Sequence, residues 1–374
     1  MNTHNFIKNH ILKQYTQKNL SSSKESFQKS VQVCILGGHT FLGKMTSLVM
    51  KQNPIISCLR IQGDRIVSNI AADLNHIDTK CTVQSFEGTS ELPKAIRSAD
   101  IVLLLGVGNV KEDTCLPDRV MAEGRRVYDL AKECSITAPR SIIVVAVPPV
   151  SVTTPLVASV FKKTHWYHPG RILGSAAIAQ IKANTLVGRY QDLNPFICKV
   201  PIIGGPDIDL AVPLFSRAKP VELTDKAAHI LMAKFRGVEI DEFPKKTGRH
   251  NFVENCPHVE AYALNNMITA IALGICGDKE AFYNALIRTN SVETCQHLVT
   301  TLQFSRGGVV HNHGVPQLTK LELRVFEKAL LEMKEREQIA AEMLDYIEGK
   351  CDVPPFKIKD LNIKKTLQQT VIRC

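Results

Sequence analysis

Residues 31–43 read VQVCILGGHTFLG, a strand-like run followed by a glycine-rich segment. The apolar, β-branched run Val31–Leu36 predicts a buried strand, and the glycines after it predict a tight turn that opens a helix. A dinucleotide-binding turn needs glycine at its first, middle and last positions, for the turn itself, for the approach of the pyrophosphate and for helix-on-strand packing. Gly37 and Gly43 meet the outer two requirements, whereas Thr40 stands where the middle glycine is expected.

The residues that follow alternate between short β-branched runs and segments long enough for a helix. Further strands are predicted at 58–62, 101–105 and 141–147. Strands separated by helix-length segments indicate parallel βαβ crossovers. The predicted fold class is therefore α/β, with a Rossmann-like parallel sheet in residues 31–173.

Residues 174–350 predict a second domain, of the α+β class. They contain a predicted helix over 176–189, a strand ending at 203–205 and a long last helix over 319–348. Four apolar residues recur in the last helix at three- and four-residue spacing: Leu323, Phe326, Leu330 and Met333. We expect this stripe to pack against the core.

The chain has 374 residues and a formal charge of +10, and its basic residues concentrate at the two ends. A leader, residues 1–30, carries +4 and a tail, residues 351–374, carries +3, which leaves +3 for the body. This surplus is too small to indicate a nucleic-acid partner. The longest apolar runs, at 101–105 and 142–150, fall short of the roughly 20 residues that cross a bilayer, so no membrane span is predicted.

The leader and the cysteines bear on the compartment. Residues 6–15 place apolar side chains at positions 7, 11 and 15 with lysines between them, and a serine-rich stretch follows. This pattern is typical of a mitochondrial presequence, although it lacks arginine, and a disordered basic arm on a cytoplasmic protein remains the alternative. The eleven cysteines form no CxxC pair, so neither a disulfide framework nor a zinc cluster is predicted. Cys34 and Cys115 are interpreted as structural thiols rather than nucleophiles.

Three longer segments identify a family. They are AADLNHI at 71–77, ANT at 183–185 and VPIIGG at 200–205. In order and separation they resemble segments of the mitochondrial-type malate dehydrogenases, in the lactate/malate dehydrogenase superfamily, and the resemblance runs from about residue 31 to about residue 350. It implies the family's α+β domain after the Rossmann domain, a dimer, NAD as cofactor and the interconversion of malate and oxaloacetate.

The same resemblance indicates that the residues for proton transfer have been replaced. Oxidising malate requires a base for the hydroxyl proton, and the family uses a histidine held by an aspartate. Pro206 occupies the position of the histidine and Ala179 that of the aspartate. Neither replacement can transfer a proton.

The positions that bind substrate in the family have also changed. Arginines grip the substrate carboxylates there because a guanidinium binds a carboxylate through two parallel hydrogen bonds. Lys182 matches one of these arginines, and Val110 and Leu116 match two others on a loop. Arg119 could serve if the loop register has slipped. Pro148 matches an asparagine that orients substrate and nicotinamide.

The predicted contacts to NAD are Gly37, Gly38, Gly43 and Asp64. Asp64 is included because Gly63 stands where the family has its ribose-binding acid, and Asp64 is adjacent.

Two histidine pairs are candidates for a metal or catalytic site: His165 with His168, and His311 with His313. The first pair is expected in a surface turn before a strand and the second in a hairpin loop. Solvated loop histidines are the favoured interpretation of both, and no metal site is predicted.

Three functional hypotheses follow. The first is a pseudoenzyme that keeps the fold and dimerises with itself or with an active paralogue. The second is a functional NAD-dependent malate dehydrogenase of the tricarboxylic acid cycle. The third is a dinucleotide-binding sensor without turnover. Since function lies in the site rather than in the fold, the first is preferred.

Overall fold

The computed structural model of the chain describes residues 30–106, 116–238 and 256–351. The predicted leader up to residue 29 and the tail from residue 352 onward lie outside the described residues. The loop position Val110 and the thiol of Cys115 also lie outside them.

Strands and helices alternate through the first half of the chain. The strands are β1 (Val31–Leu36), β2 (Ile56–Gly63), β3 (Thr82–Glu87), β4 (Ile101–Leu105), β5 (Ile142–Ala146) and β6 (Ile172–Ser175). The helices are α1 (Phe41–Lys51), α2 (Ile66–Asn75), α3 (Leu92–Ile96), α4 (Leu116–Thr137) and α5 (Val150–Lys163).

The second half is richer in helix, and its strands are antiparallel. The helices are α6 (Ala177–Tyr190), α7 (Asp225–Phe235), α8 (Pro257–Ile275) and α9 (Lys320–Ile347). The strands are β7 (Ile202–Gly204), β8 (Ala211–Pro213), β9 (Phe282–Arg288), β10 (His297–Ser305) and β11 (Gly308–Asn312). Within the described ranges, no helix is both long and apolar enough to span a bilayer.

The described strands form one sheet in the order β3-β2-β1-β4-β5-β6-β9-β10-β7-β8, with β11 beside β10. Pairing is parallel from β3 to β6 and antiparallel from β6 onward. This confirms the predicted α/β class, a Rossmann-like parallel sheet followed by an α+β part. The strand order reverses between β1 and β4, and in sheets of this kind ligands bind outside the carboxyl ends of the strands at that reversal.

Both faces of the parallel sheet are covered by helices, so its central strands are apolar throughout. Every residue of β4 and β5 is buried. Successive side chains of β1 point to opposite faces, as the two-residue period of a strand requires. Val33 and Ile35 therefore pack in the core that includes α8, whereas Cys34 and Leu36 pack in the core that includes α4 and α5.

The apolar stripe predicted in α9 is buried except at its first residue. Phe326 and Met333 are buried and Leu330 is partly buried, but Leu323 is 45% exposed. The prediction was wrong at Leu323 because Glu322 takes the inward position at the start of the helix. Its carboxylate accepts hydrogen bonds from the amide and hydroxyl of Ser216 and completes a capping box at the helix start.

Candidate functional site

The glycine-rich turn between β1 and α1 has a backbone geometry that requires glycine. Gly37 has φ = +96°, a conformation that residues with a Cβ rarely adopt. A Cβ at Gly43 would lie 2.3 Å from the carbonyl oxygen of Gly37, and a Cβ at Gly38 would lie 2.0 Å from Cγ2 of Ile61. The turn is therefore packed tightly against both α1 and β2.

Thr40 stands where the middle glycine is expected, and its side chain forms hydrogen bonds with backbone groups of the turn. Its side chain is buried, its hydroxyl donates to the carbonyl oxygen of Gly37 (2.8 Å), and its oxygen accepts the amide of Gly43 (3.0 Å). Thr40 is thus the N-cap of α1. The amide that it occupies is one that a helix N-terminus would otherwise present to a phosphate.

Arg126 lies in the crevice where the strand order reverses. Its Nη1 donates to the carbonyl oxygen of Leu105, at the end of β4 (2.9 Å), and to Oε2 of Glu123 (3.3 Å). Its Nη2 lies 3.2 Å from where a Cβ on Gly37, just beyond β1, would stand. The sequence did not mark Arg126 as a site residue. Its three-residue spacing from Glu123 predicts an ion pair on a helix but does not show that the arginine lies at the strand ends.

His39 occupies the space at the end of β2 where the resemblance would place a ribose-binding acid. A Cβ on Gly63 would lie 2.5 Å from Nδ1 of His39, which finds no hydrogen-bond partner among the described residues. Asp64 is 81% exposed, with Oδ2 3.6 Å from Nε2 of His39. The imidazole leaves no room for an acidic side chain at residue 63.

NAD, the cofactor that the resemblance implies, does not fit this turn as it stands. Gly37 and Gly43 provide the backbone that a dinucleotide needs. Thr40, however, takes up a helix-start amide, and Arg126 fills the crevice at the strand reversal. The turn keeps Gly37 and Gly43, but side chains of the protein already form hydrogen bonds with backbone groups that a pyrophosphate would approach.

A cleft of about 620 Å³ lies at the carboxyl ends of the strands, where β5 ends at Ala146 and β6 at Ser175. Its volume is within the size range of small-molecule sites. Segments from both halves of the chain form its walls. The lining residues are Leu116, Arg119, Ala146, Pro148, Pro149, Val150, Ser175, Ile178, Pro206, Asp207, Ile208, Asp209, Phe235, Arg236, Glu260 and Arg336.

The cleft brings together some of the predicted site residues and leaves others out. Pro206, Pro148 and Leu116 line it, as does Arg119. Ala179 is fully buried within α6 and offers no polar atom. At the two positions that the resemblance assigns to base and orienting acid, there is thus no titratable side chain.

Lys182 does not line the cleft. Its side chain is only 5% exposed, and its Nζ lies 5.1 Å from the centre of the Phe235 ring. The structure therefore does not place Lys182 where it was predicted to contact substrate. Phe235 lines the cleft, and the amine of Lys182 packs against the ring of Phe235.

Asp207 is directly adjacent to Pro206 but serves the fold. Its carboxylate accepts the amides of Val150 (3.0 Å) and Ser151 (3.1 Å) at the start of α5. Burial is the main reason that the pKa of Asp207 is raised, with the nearby Asp209 carboxylate adding to the effect and hydrogen bonds from Ser151 opposing it. The helix start that it caps is thereby closed to an external anion.

Two of the arginines that line the cleft hold the loop after β7. Nη2 of Arg336 donates to the Asp209 carboxylate (3.1 Å). Arg236 donates to the backbone carbonyls of Ile208 (3.0 Å), Asp209 and Ala211 (2.9 Å). A guanidinium carries five N–H donors in one plane, so it can bind several carbonyl oxygens of a loop at once.

Glu260, in the first turn of α8, is an ionisable group of the cleft that the sequence did not mark as a site residue. Its side chain is half-buried in the cleft wall, and burial raises its pKa to about 7. Among the described residues it has no hydrogen-bond or ion-pair partner. An acid just after Pro257 indicates only a helix N-terminus, so nothing in the sequence marked it as a site residue.

The histidine and cysteine alternatives gain no support. His165, with φ = +63°, and His168, whose Nδ1 accepts the amide of Gly170 (3.2 Å), lie in the turn before β6 as expected. The prediction for His311 was wrong, because it lies within strand β11 opposite Gln303 and the hairpin turns earlier.

Burial raises the pKa of the Cys34 thiol, which disfavours the reactive thiolate. No group of three metal-ligating side chains is found in the described part of the chain.

The chain is similar to known proteins both in sequence and in fold. No model of a protein family matches the chain. The mitochondrial malate dehydrogenases of Pongo abelii and Homo sapiens are each 26% identical to it over 314 residues, which cover 84% of this chain and 91% of each relative.

Solved structures of the same kind share the fold. The malate dehydrogenase from Plasmodium falciparum matches with a TM-score of 0.66 and 16% identity, covering 84% of this chain and 99% of that one. The malate dehydrogenase from Aeropyrum pernix matches with a TM-score of 0.65 and 15% identity, covering 82% and 97%. In sequence the chain is therefore similar to mitochondrial malate dehydrogenases, and it shares the fold of malate and lactate dehydrogenases.

Proposed function

We propose that this protein is a pseudoenzyme of the superfamily, which keeps the fold but does not interconvert malate and oxaloacetate. The observation that carries the proposal is Pro206 in the wall of the cleft, at the position of the catalytic histidine. Proline has no titratable group, and Ala179 cannot hold or orient a base.

The size of the expected defect follows from the number of groups lost. Loss of a single general base costs about 10²- to 10⁴-fold in rate, and groups that act together are not additive. Here the base, its orienting acid and the asparagine position at Pro148 have all changed. The remaining carboxylate next to the base position, Asp207, is committed to the start of α5.

We extend the proposal to the cofactor: NAD does not bind with an affinity typical of a dehydrogenase. Support comes from Thr40, which takes up the amide of Gly43, and from Arg126, which spans the strand ends. This sets the pseudoenzyme apart from a dinucleotide sensor, which would need that crevice open.

We also propose that the protein forms a dimer, with itself or with an active paralogue, in the mitochondrion. Phe41 (53% exposed) and Tyr262 (44% exposed) are large apolar side chains on α1 and α8, where the ring of Phe41 meets that of His258 at 5.4 Å. Sedimentation of the full chain would show the mass of a dimer. The basic leader and the mitochondrial relatives support the compartment.

The proposed lack of activity is tested by steady-state assays of the full chain in both directions, with oxaloacetate and NADH and with malate and NAD. A mitochondrial malate dehydrogenase serves as the positive control, and circular dichroism confirms that the chain is folded. We expect no turnover above the background of the reagents. Turnover that scales with protein concentration would show that a base has been relocated.

A further inference from the structure

The charged groups lining the cleft differ in whether the fold already uses them. Asp207 caps α5, Asp209 pairs with Arg336, and Arg236 donates to three backbone carbonyls. Each of these groups is committed to a bond within the chain.

Glu260 is different, because its carboxylate lines the cleft and forms no such bond with the described residues. Partial removal of an ionised carboxylate from water without a partner raises the free energy of the folded state, and folded proteins normally pair such a group. Since the described residues provide no counterion, the group is stabilised when it keeps its proton or when a cation binds beside it.

The surroundings of Glu260 favour an organic ion over a hydrated metal ion. The cleft walls contain a series of apolar side chains, among them Ala146, Pro148, Ile178 and Pro206. Metal binding is disfavoured because no cluster of three ligating side chains occurs in the described ranges.

We propose that the cleft binds a small organic cation, of the primary ammonium class, whose charged group pairs with Glu260 and whose apolar part lies against Ile178 and Pro206. The molecule bound at Glu260 would then carry a charge opposite to that of a dicarboxylate. The inference rests on the proposed function in one respect, namely that the bound molecule is retained rather than turned over.

The pH dependence of binding follows from the protonation of Glu260. Its pKa of about 7 is raised by burial, without a contribution from neighbouring charges. The other charged groups that line the cleft are Arg119 on α4, Asp207 and Asp209 on the loop after β7, Arg236 after α7 and Arg336 on α9. His258, on α8 itself, faces Phe41 instead.

An ammonium ion binds the ionised form of Glu260. An alkylammonium group keeps its charge between pH 6 and pH 8, as a lysine side chain does. Since about one tenth of the carboxyl groups are ionised at pH 6 and about nine tenths at pH 8, affinity should rise roughly tenfold over this range.

Three probes of matched length test the inference: n-pentylamine, pentanol and pentanoate, titrated into the full chain by calorimetry. At pH 8 we expect pentylamine to bind at least tenfold more tightly than pentanol, and pentanoate most weakly. Glu260→Gln should remove the advantage of the amine and its pH dependence while leaving pentanol binding unchanged. Glu342→Gln, an exposed acid on α9 outside the cleft, is the matched control and should change nothing.

The inference is overturned if the amine binds no better than the alcohol, if pentanoate binds best, or if Glu260→Gln keeps the preference for the amine. The titrations contain neither NADH nor oxaloacetate. A negative result therefore leaves the proposed loss of catalysis intact, and catalytic turnover found in the steady-state assay would leave this binding result intact.

Discussion

At the scale of single residues, this protein uses its own side chains where related sites would offer contacts to ligands. Thr40 takes up an amide at the start of α1, and Asp207 takes up two at the start of α5. Arg126 bridges the ends of two strands where a ligand would be expected. The proposed replacements at Pro206 and Ala179 thus occur together with internal hydrogen bonds at two helix starts that could otherwise bind an anion.

The closure of the glycine-rich turn predicts a gain of function. Thr40→Gly combined with Arg126→Ala should increase the affinity for NADH at least tenfold, because both changes expose backbone that a pyrophosphate can approach. NADH fluorescence titration measures the effect, and Arg125→Ala, an exposed arginine on the same helix, is the control. Tight NADH binding by the unmodified chain would contradict this explanation.

Glu260 predicts a stability effect with a defined pH window. Its pKa is raised from the 4.5 of an unperturbed glutamate to about 7, so the folded state holds a proton that the unfolded state releases. Stability from this group therefore falls as pH rises from 4.5 to 7. Glu260→Gln removes the effect and should stabilise the fold at pH 8 by about 1 to 3 kcal/mol, less than the full shift because the carboxyl still meets solvent.

Urea unfolding at pH 4.5 and pH 8 measures this difference. The two proteins should be close in stability at the lower pH and diverge at the higher one. Equal stability at both values would show that the carboxyl is solvated or paired.

At the scale of elements, one carboxylate on α9 forms several hydrogen bonds to the start of a strand. Glu337 on α9 accepts the amides of Gln296 (2.9 Å) and His297 (2.6 Å) and contacts Nδ1 of His297 (2.7 Å) at the start of β10. These bonds bring the last helix against a strand about forty residues earlier in the chain.

Glu337→Ala should destabilise the protein by about 2 to 4 kcal/mol, because it leaves two backbone amides and a buried ring nitrogen without an acceptor. Glu342→Ala, at an exposed position on the same helix, should stay within about 0.5 kcal/mol of the unmodified chain. Urea midpoints report both values. A loss below about 1 kcal/mol for Glu337→Ala would mean that water replaces the carboxylate.

At the scale of the whole molecule, the sequence predicted the architecture well and the site less well. The parallel sheet was predictable because β-branched runs such as Val31–Leu36 and Ile101–Leu105 carry their own signal. The position of Arg126 was not, because α4 crosses the strand ends only in the assembled fold. His311 was wrongly predicted to lie in the hairpin loop because two glycines, Gly307 and Gly308, precede it closely; the turn lies at the first of these glycines, and His311 lies in the strand that begins at the second. Glu260 went unnoticed because burial, not sequence, raises its pKa.

The central claim, that this fold no longer transfers hydride between malate and a nicotinamide, is tested most directly by a single-turnover experiment. The full chain is mixed in excess over NADH with saturating oxaloacetate, and absorbance is followed for an hour, so that neither product release nor repeated turnover affects the result. We predict no loss of NADH beyond that in the absence of protein. An exponential loss of NADH whose rate rises with protein concentration would contradict the account and show that another group has replaced the missing base.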